Sequence, residues 1–368
     1  MFKKYRILKW TGIFLVVVII VIVAFGIWFK NLIPTRDVQI EFTSVENLPY
    51  LSEEVVPKRG KIVAVVTSTG LMGNSEKITG YELSELARAY YTFMANGFEV
   101  DVASPQGGKP PVVIDDEDLG VYDFAFLNDP EAQFKTSHTL KIDDIVSKDY
   151  DAIFFVGGKG AMFDFPDNKI LQSIIKNYHE SNKIIGAVCH GPAALVNVTL
   201  DDGSYLIEDK NVSGFTNQEE LLLISDAASI FPFLLEDKIT SHGGNFKEGS
   251  MYLEQVSHDE NLITGQNPWS TWKVAERIIV QLGHTPKHRP VTDEENAVEI
   301  LSIFQSEGKQ KAKEMIETMI VKEKKPVNRA LIAKHSIVAA MKGEVGQFFS
   351  ILKLVSFAKK CESKSTEI

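Results

Sequence analysis

The chain has 368 residues, of which 44% are apolar, 24% charged and 10% aromatic. These fractions are typical of a folded globular protein and exclude collagen-like, coiled-coil and wholly disordered chains. Two cysteines are too few for a disulfide-stapled scaffold, and no Cys-X-X-Cys spacing indicates a zinc site. The net charge of −10 argues against nucleic acid as a partner.

This charge is unevenly distributed along the chain. Residues 1–36, the head, carry +6, whereas residues 37–290, the body, carry −18. Residues 291–368, the tail, carry +2. The sequence therefore predicts a basic head, a strongly acidic body and a nearly neutral tail.

The head contains an uncharged run of 20 residues, 10–29, with Trp10 and Trp28 near its two ends. As a helix this run is about 30 Å long, the thickness of a bilayer's hydrocarbon core. Four basic residues precede it: Lys3, Lys4, Arg6 and Lys9. Because positive charge stays on the cytoplasmic side, we expect a single-pass membrane protein with a cytoplasmic N-terminus and an extracytoplasmic catalytic domain.

A cleaved signal peptide is the alternative for the head, with residues 24–26 as a poor processing site. Signal peptides have shorter apolar cores, so the sequence favours an uncleaved anchor over residues 1–30. Prolines and a glycine then punctuate residues 31–60, which we expect to form an extended linker.

From residue 61 onward, apolar β-branched runs alternate with helical stretches. This alternation predicts an α/β fold, a flavodoxin-like three-layer sandwich with a mostly parallel central sheet, over residues 61–286. The predicted strands are 61–67, 98–104, 151–156, 183–188 and 262–265, and the predicted helices 82–96, 168–181 and 270–282. The polar stretch 106–148 is too long for a simple connection and is expected to cap the site.

Residues 287–368 show helical periodicity and are predicted to form a helical extension. A stripe of apolar residues keeps helical spacing near the C-terminus: Val338, Met341, Val345, Phe349 and Leu352. We expect this stripe to pack on the main domain or in a homodimer interface rather than on the membrane.

The segment KIIGAVCHGPAAL, residues 183–195, carries the clearest chemical signal. A buried strand ends directly before Cys189, and Gly191 and Pro192 are predicted to begin a helix. A thiol at such a junction lies at the carboxyl edge of the sheet, where open α/β folds place their sites. Backbone N–H groups of the new helix are expected to lower the thiol pKa and to hold an oxyanion, while His190 polarises the thiol. The alternative is an inert buried cysteine beside a structural histidine.

Six ordered motifs between residues 60 and 284 resemble the ThiJ/PfpI superfamily, which has the class I glutamine amidotransferase-like fold. They are TGYELSELARAYYTF (79–93), GFEVDVASPQGG (97–108), GGKGAMFDFP (157–166), AVCHGPAAL (187–195), GFTNQEE (214–220) and LITGQNPWS (262–270). The sequence is most similar to the glutathione-independent glyoxalases, the glyoxalase III branch, some of which are also heat-shock chaperones. The resemblance does not extend to the head or the tail.

This resemblance implies roles for four residues. Cys189 matches the family nucleophile and His190 its histidine partner. Glu85 matches the glutamate that approaches the thiol as a general acid and base, and Glu220 matches the acidic residue that orients the histidine. Glu82 and Glu219 are the near alternatives, because one residue of helical register turns a side chain by roughly 100°.

Three residues of the GGKG segment extend the expected site. Gly157 and Gly158 match the family's turn on the oxyanion side, together with Gly191 after the cysteine. Lys159 stands where glyoxalase-type relatives often have histidine. A lysine keeps a positive charge at the cleft but shuttles protons less readily near neutral pH, so substrate choice or rate is expected to differ.

The resemblance implies conversion of methylglyoxal, a small reactive aldehyde, to lactate. One thiolate and one positioned carboxyl suffice for this chemistry, so we expect neither a cofactor nor a metal. A cysteine hydrolase, amidotransferase or peptidase is one alternative. A non-enzymatic stress chaperone or thiol redox sensor is another.

Overall fold

The computed structural model describes residues 2–54, 56–115 and 119–366. The chain divides into two compact units. The body, Asp37–Pro290, is one of them, and Met1–Arg36 together with Val291–Ile368 forms the second, here called the head–tail unit. These boundaries coincide with those at which the net charge changes along the sequence.

The central sheet of the body has seven strands among the described residues, and a single antiparallel strand lies at one edge. Its order is β10-β11-β7-β6-β1-β3-β5, where the strands are β1 (Gly60–Val65), β3 (Phe98–Ser104), β5 (Leu140–Lys141), β6 (Ala152–Phe155), β7 (Ile184–Val188), β10 (Val256–Asp259) and β11 (Leu262–Gly265). Short two-residue strands form two further pairs: β2 (Tyr81–Glu82) with β4 (Val112–Val113), and β8 (Asn211–Val212) with β9 (Asn245–Phe246).

Helices cover this sheet on both faces. In the body they are α2 (Pro49–Ser52), α3 (Leu83–Ala95), α4 (Val121–Asn128), α5 (Pro130–Ser137), α6 (Ala161–Asp164), α7 (Lys169–Glu180), α8 (Asn217–Leu223), α9 (Ala227–Ile230), α10 (Leu235–Ser241) and α11 (Thr271–Gln281). In the head–tail unit they are α1 (Phe2–Leu32), α12 (Asp293–Glu307), α13 (Lys309–Glu317), α14 (Arg329–Met341) and α15 (Val345–Thr366), with a π-helical turn at Thr318–Lys322.

The alternation of side chains along the strands divides the body's core in two. In β1, Ile62 and Ala64 join one apolar cluster, and Val63 and Val65 join the other. The first cluster includes side chains of α3 and α11, and the second includes side chains of α7. A strand that is buried on both faces needs a nearly continuous apolar sequence, which explains why apolar runs in the sequence predict these strands. The α/β fold with a mostly parallel sheet is therefore confirmed.

The segment predicted as an extended linker instead contains short helical turns at Val38–Phe42, Val45–Asn47 and Pro49–Ser52. Tyr50 is buried in the first apolar cluster, and its hydroxyl accepts a hydrogen bond from Asn96 Nδ2 at 3.1 Å. Burial of this aromatic ring explains why the segment folds onto the body. In the polar stretch 106–148, where residues 116–118 lie outside the described residues, α4 and α5 are the main elements.

The predicted apolar stripe of the tail is interrupted. The helix ends at Met341, Gly343 adopts a φ of 74°, and a second helix starts at Val345. Leu352 is buried, whereas Met341, Val345 and Phe349 are at least half exposed. The prediction of a single packed apolar stripe was therefore wrong, because a glycine turn breaks the helical register on which that prediction depended.

Candidate active site

Cys189 lies directly after β7, at the carboxyl edge of the parallel sheet. Its backbone has a φ of 58°, a left-handed conformation that costs a non-glycine residue about 1–3 kcal/mol. Two hydrogen bonds fix it: Cys189 N donates to Gly265 O at 2.9 Å, and Cys189 O accepts from Phe215 N at 2.9 Å. The thiol is thus placed on a sharp, restrained turn, as the sequence predicts.

The segment after the cysteine differs from the prediction. Gly191–Ala194 is a four-residue 3₁₀ turn rather than the start of an α-helix. A turn of this length has no substantial helix dipole, so the expected helix N-terminus at the thiol is absent here. A glycine is still required, because a Cβ at Gly191 would lie 2.3 Å from Phe155 O.

His190 connects the thiol to a carboxylate. Its Nδ1 lies 3.3 Å from Cys189 Sγ, and its Nε2 lies 2.5 Å from Glu220 Oε2. The Phe215 ring packs on the imidazole with ring centroids 4.6 Å apart. All four side chains are largely or fully buried. The structure therefore brings Cys189, His190 and Glu220 into one hydrogen-bonded row, which is the arrangement of a cysteine nucleophile, a base and an orienting acid.

Glu220 holds the far end of this row in its ionised form. Burial alone would raise its pKa, but the adjacent His190 and the nearby Lys159 outweigh burial, so the pKa of Glu220 is lowered. The helix α8 positions this carboxylate. Thr216 caps the helix by accepting a hydrogen bond from Glu219 N at 3.1 Å.

We expect Glu220→Gln to lower kcat for conversion of methylglyoxal to lactate, the reaction that the resemblance implies, about 10²-fold with little change in KM, because the expected role of Glu220 is to orient His190 without contacting substrate. Glu220→Asp keeps the carboxylate and should recover part of this loss. Steady-state kinetics of the two variants on the proposed substrate provides the measurement. An unchanged kcat in Glu220→Gln, or equal losses in both variants, would contradict an orienting role.

Glu85 approaches the thiol from the opposite direction. It lies in the first turn of α3, is fully buried, and accepts a hydrogen bond from Gly157 N to Oε2 at 2.7 Å. The Cys189 thiol is the other hydrogen-bonding neighbour of this carboxyl, and Oε1 has no further partner among the described residues. Burial, followed by the charge of Glu82, raises the pKa of Glu85 well above its ordinary value. The carboxyl therefore keeps its proton to a higher pH than an exposed glutamate does.

The thiol pKa also differs from the expectation. Burial, and then the neighbouring Glu85, raises the pKa of Cys189 well above its ordinary value, whereas the sequence predicted a lowered one. The predicted cause of lowering, a helix N-terminus, is missing, and Lys159 opposes the rise only in part. The ionisations of two acidic groups in contact are coupled. While the Glu85 carboxyl retains its proton, it carries no negative charge that would oppose formation of the Cys189 thiolate.

Gly157 leaves the space in which Glu85 and Cys189 meet. A Cβ at this position would lie 2.6 Å from Glu85 Oε2, 2.7 Å from Cys189 Cβ and 2.7 Å from Val188 O. Gly158 has a φ of 98°, and its Cβ would lie 2.3 Å from Gly80 O. The Lys159 ammonium lies 5.9 Å from the centre of the Phe215 ring. The GGKG segment thus adjoins both sides of the candidate site.

We expect Gly157→Ala to destabilise the protein by about 1–3 kcal/mol and to lower activity, because the methyl group must displace Glu85 or the Cys189 turn. Gly70→Ala is the matched control, since its Cβ would meet Pro111 at an ordinary 3.6 Å. Thermal unfolding of both variants checks this expectation. Equal unfolding temperatures for the two variants would show that the site tolerates the methyl group.

Glu82 and Glu219, the alternatives to Glu85 and Glu220, lie in different surroundings. Glu219 is buried and accepts hydrogen bonds from Tyr252 N at 2.6 Å and Gln266 Nε2 at 2.9 Å, so it ties loops together. Burial, opposed mainly by Lys159, raises the pKa of Glu82 to about 8, and Glu82 affects the site through its charge on Glu85. Phe215, which packs on His190, was not singled out, although it lies inside the GFTNQEE motif.

Part of the body is similar in sequence to a known protein family. Residues 77–206 match the DJ-1/PfpI family. Glyoxalase 3 of Candida albicans is 29% identical over 238 residues, which cover 60% of this chain and 97% of that protein. The glutathione-independent glyoxalase HSP31 of Saccharomyces cerevisiae is 31% identical over 213 residues, covering 55% of this chain and 88% of the relative.

A solved structure shows the same similarity. The Rapid Encystment Protein 24 kDa of Francisella tularensis is 37% identical and superposes with a TM-score of 0.57. The match covers 61% of this chain and 99% of that one. These matches therefore cover nearly the whole of each relative but only 55–61% of this chain.

Proposed function

The chain belongs to the DJ-1/PfpI family, and from this premise we propose that it is a glutathione-independent glyoxalase converting methylglyoxal to lactate. The names of its relatives support this reaction class. The observation that carries the proposal is that Cys189 lies between His190, 3.3 Å from its Sγ, and the fully buried Glu85 carboxyl, which meets Cys189 beside Gly157. A nucleophile beside a proton-carrying carboxyl is what the reaction requires.

The first step forms the bond between substrate and protein. Cys189 gives its proton to His190, whose charge Glu220 stabilises, and Sγ attacks the aldehyde carbon. The aldehyde oxygen takes the proton that Glu85 carries, which gives a hemithioacetal and leaves Glu85 ionised. Backbone N–H groups beside Cys189 and in the GGKG turn are suited to stabilise the developing oxyanion.

The second step is an internal oxidation and reduction. Glu85, now ionised, removes the proton from the former aldehyde carbon while the protonated His190 gives its proton to the ketone oxygen, which gives an enediol. Glu85 then returns its proton to the former ketone carbon, and the hydroxyl group on the sulfur-bound carbon gives its proton back to His190. The aldehyde carbon is thereby oxidised to a thioester and the ketone carbon reduced to an alcohol. Water then hydrolyses the thioester, which releases lactate and restores the thiol. The net change is the addition of one water molecule.

A comparison of reaction classes tests this proposal. The purified full chain is incubated without glutathione and with methylglyoxal, glutamine or a peptide in separate reactions. We expect lactate from methylglyoxal, and neither ammonia from glutamine nor peptide cleavage. Hydrolysis of glutamine or peptide without lactate formation would replace the glyoxalase by a cysteine hydrolase.

We also propose that α1 anchors the protein in a membrane, with the N-terminus cytoplasmic. Residues Phe14–Leu32 are long and apolar enough to cross a bilayer, with a mean hydropathy of 2.5. Only 6% of this apolar window is buried, so it is not a core helix of the unit. The preceding basic residues support the orientation.

External protease on intact cells tests this topology. We expect the protease to digest the body. A control variant that is truncated to remove the anchor, and therefore stays in the cytoplasm, should remain intact. Protection of the body until the cells are lysed would reverse the proposed orientation. Release of the protein in soluble form, starting after residue 26, would identify a cleaved signal peptide instead.

A further inference from the structure

The turn between α14 and α15 exposes a group of large apolar side chains. This hairpin tip consists of residues 337–349, and its exposed members are Ile337 (48%), Met341 (55%), Val345 (63%) and Phe349 (50%). α14 and α15 pack against each other, so these side chains project from the closed end of a helical hairpin. Exposed apolar patches of this kind mark contacts with a membrane or a protein.

The hairpin tip lies beside the apolar run of α1, within the same unit. The Phe348 ring contacts the Phe25 ring at a centroid distance of 6.2 Å. Further along, the Lys359 ammonium donates to Asn31 O, and the Arg329 guanidinium donates to Leu32 O, at the C-terminal end of α1. α15 therefore follows the last turns of α1, and its N-terminal end reaches back along the apolar run.

The depth of the tip follows from helix geometry. Phe25 lies six residues before Asn31, which corresponds to about 9 Å along the helix axis. Interfacial helices bury their apolar side about 5–10 Å below the membrane surface. A bilayer that contains α1 up to its C-terminal end would therefore surround the hairpin tip at the depth of an interfacial segment.

Charge at the tip fits an interfacial position rather than a deeper one. Lys342 and Glu344 form an ion pair at 2.9 Å in the turn, which reduces the cost of bringing both toward lipid. The neighbouring α1 side chains Val23 and Ile27 are themselves 54% and 59% exposed. Both helices thus expose apolar side chains, and the contact between Phe25 and Phe348 joins them, which favours acyl chains over a second copy of this chain as the occupant.

We propose that the hairpin tip inserts into the leaflet that holds the C-terminal half of α1, so that the tail forms a second membrane contact. This inference rests on the proposed membrane anchor and is independent of the proposed reaction. It gives the tail, which the family resemblance does not cover, a role in holding the enzyme at the bilayer surface.

Fluorophore quenching in reconstituted vesicles tests the proposal. In a full-length Cys189→Ala, Cys361→Ala background, single cysteines are introduced as Val345→Cys, Ile20→Cys and Lys364→Cys and labelled with an environment-sensitive dye. Phosphatidylcholine vesicles carry a nitroxide either near the glycerol end of the acyl chain or near its terminus. Lys364, exposed on the same helix as Val345 and beyond the contact of Lys359 with the end of α1, is the matched control.

At position 345 we expect blue-shifted emission that the shallow nitroxide quenches most strongly, and at position 364 solvent-like emission without quenching. At position 20 the deep nitroxide should quench most strongly. Quenching at 20 without quenching at 345 overturns the inference and leaves the anchor intact. Absence of quenching at 20 overturns the anchor and the inference together. Blue-shifted emission at 345 that depends on protein concentration but not on nitroxide assigns the tip to a second copy and also overturns it.

Discussion

Replacement of Cys189 by alanine is expected to lower lactate formation from methylglyoxal by at least about 10⁴-fold, to the background rate. The thiol is the single nucleophile of the proposed mechanism, and Glu85 and His190 have no substrate-bound atom to act on without it. The variant should remain folded, because alanine retains the Cβ and can keep the backbone hydrogen bonds to Gly265 and Phe215. Discontinuous lactate assays on the purified full chain provide the measurement.

Cys361→Ala is the matched control for this experiment. Cys361 is also buried, but it lies in α15 of the head–tail unit and has no place in the proposed reaction. We expect it to retain wild-type turnover. Loss of activity in both variants would point to a general effect of removing thiols, and full activity in Cys189→Ala would refute covalent catalysis by this residue.

Replacement of Glu85 by glutamine is expected to lower kcat by about 10²–10⁴-fold. Glutamine keeps an oxygen that can accept the Gly157 hydrogen bond, but it cannot pass a proton between the two substrate carbons. Attack by Cys189 should still occur. Substrate incubated with this variant is therefore expected to remain bound as the hemithioacetal, which native mass spectrometry detects as an added mass on the protein.

The pH profile gives a second measurement for Glu85. Burial raises the carboxyl pKa, so the group keeps its proton, and can donate it to the aldehyde oxygen, up to a higher pH than an ordinary carboxyl. Full ionisation places a carboxylate against the thiolate, so wild-type activity should decline on the alkaline side. The residual activity of Glu85→Gln should lack this decline. Glu82→Gln is the comparison, because Glu82 is the alternative to Glu85 and lies directly before the same helix. An equally large loss of kcat in Glu82→Gln would assign the proton transfer to Glu82 instead.

The sheet was predictable because its central strands are buried on both faces. β6, β7 and β11 consist entirely of buried residues, so no charged side chain interrupts their sequences. The edge of the sheet was less visible. β5 has only two residues, both exposed, and no run of apolar side chains marks it.

The candidate site was only partly readable from local pattern. The pairing of Cys189 with His190 is visible because the two are adjacent, and the strand before them predicts the turn. Glu85 and Glu220 come from distant segments, so nothing in their own surroundings separates them from Glu82 and Glu219. The family resemblance selected them, and the structure brings both to the Cys189–His190 pair.

Two expectations failed because they depended on helix continuity. Periodicity alone cannot tell that Gly343 breaks a helical stripe or that the turn after His190 is too short for a dipole. The thiol pKa depends on burial from several segments of the chain, which no local pattern records. These features arise from tertiary structure.

Lactate formation by the purified full chain, with methylglyoxal as sole substrate and without glutathione, tests the central claim most directly. Proton NMR follows the loss of methylglyoxal and the appearance of lactate in one sample. The account predicts one lactate for each methylglyoxal consumed, at a rate proportional to wild-type protein. Absence of lactate from protein whose Cys189 thiol is shown to be reduced would contradict it.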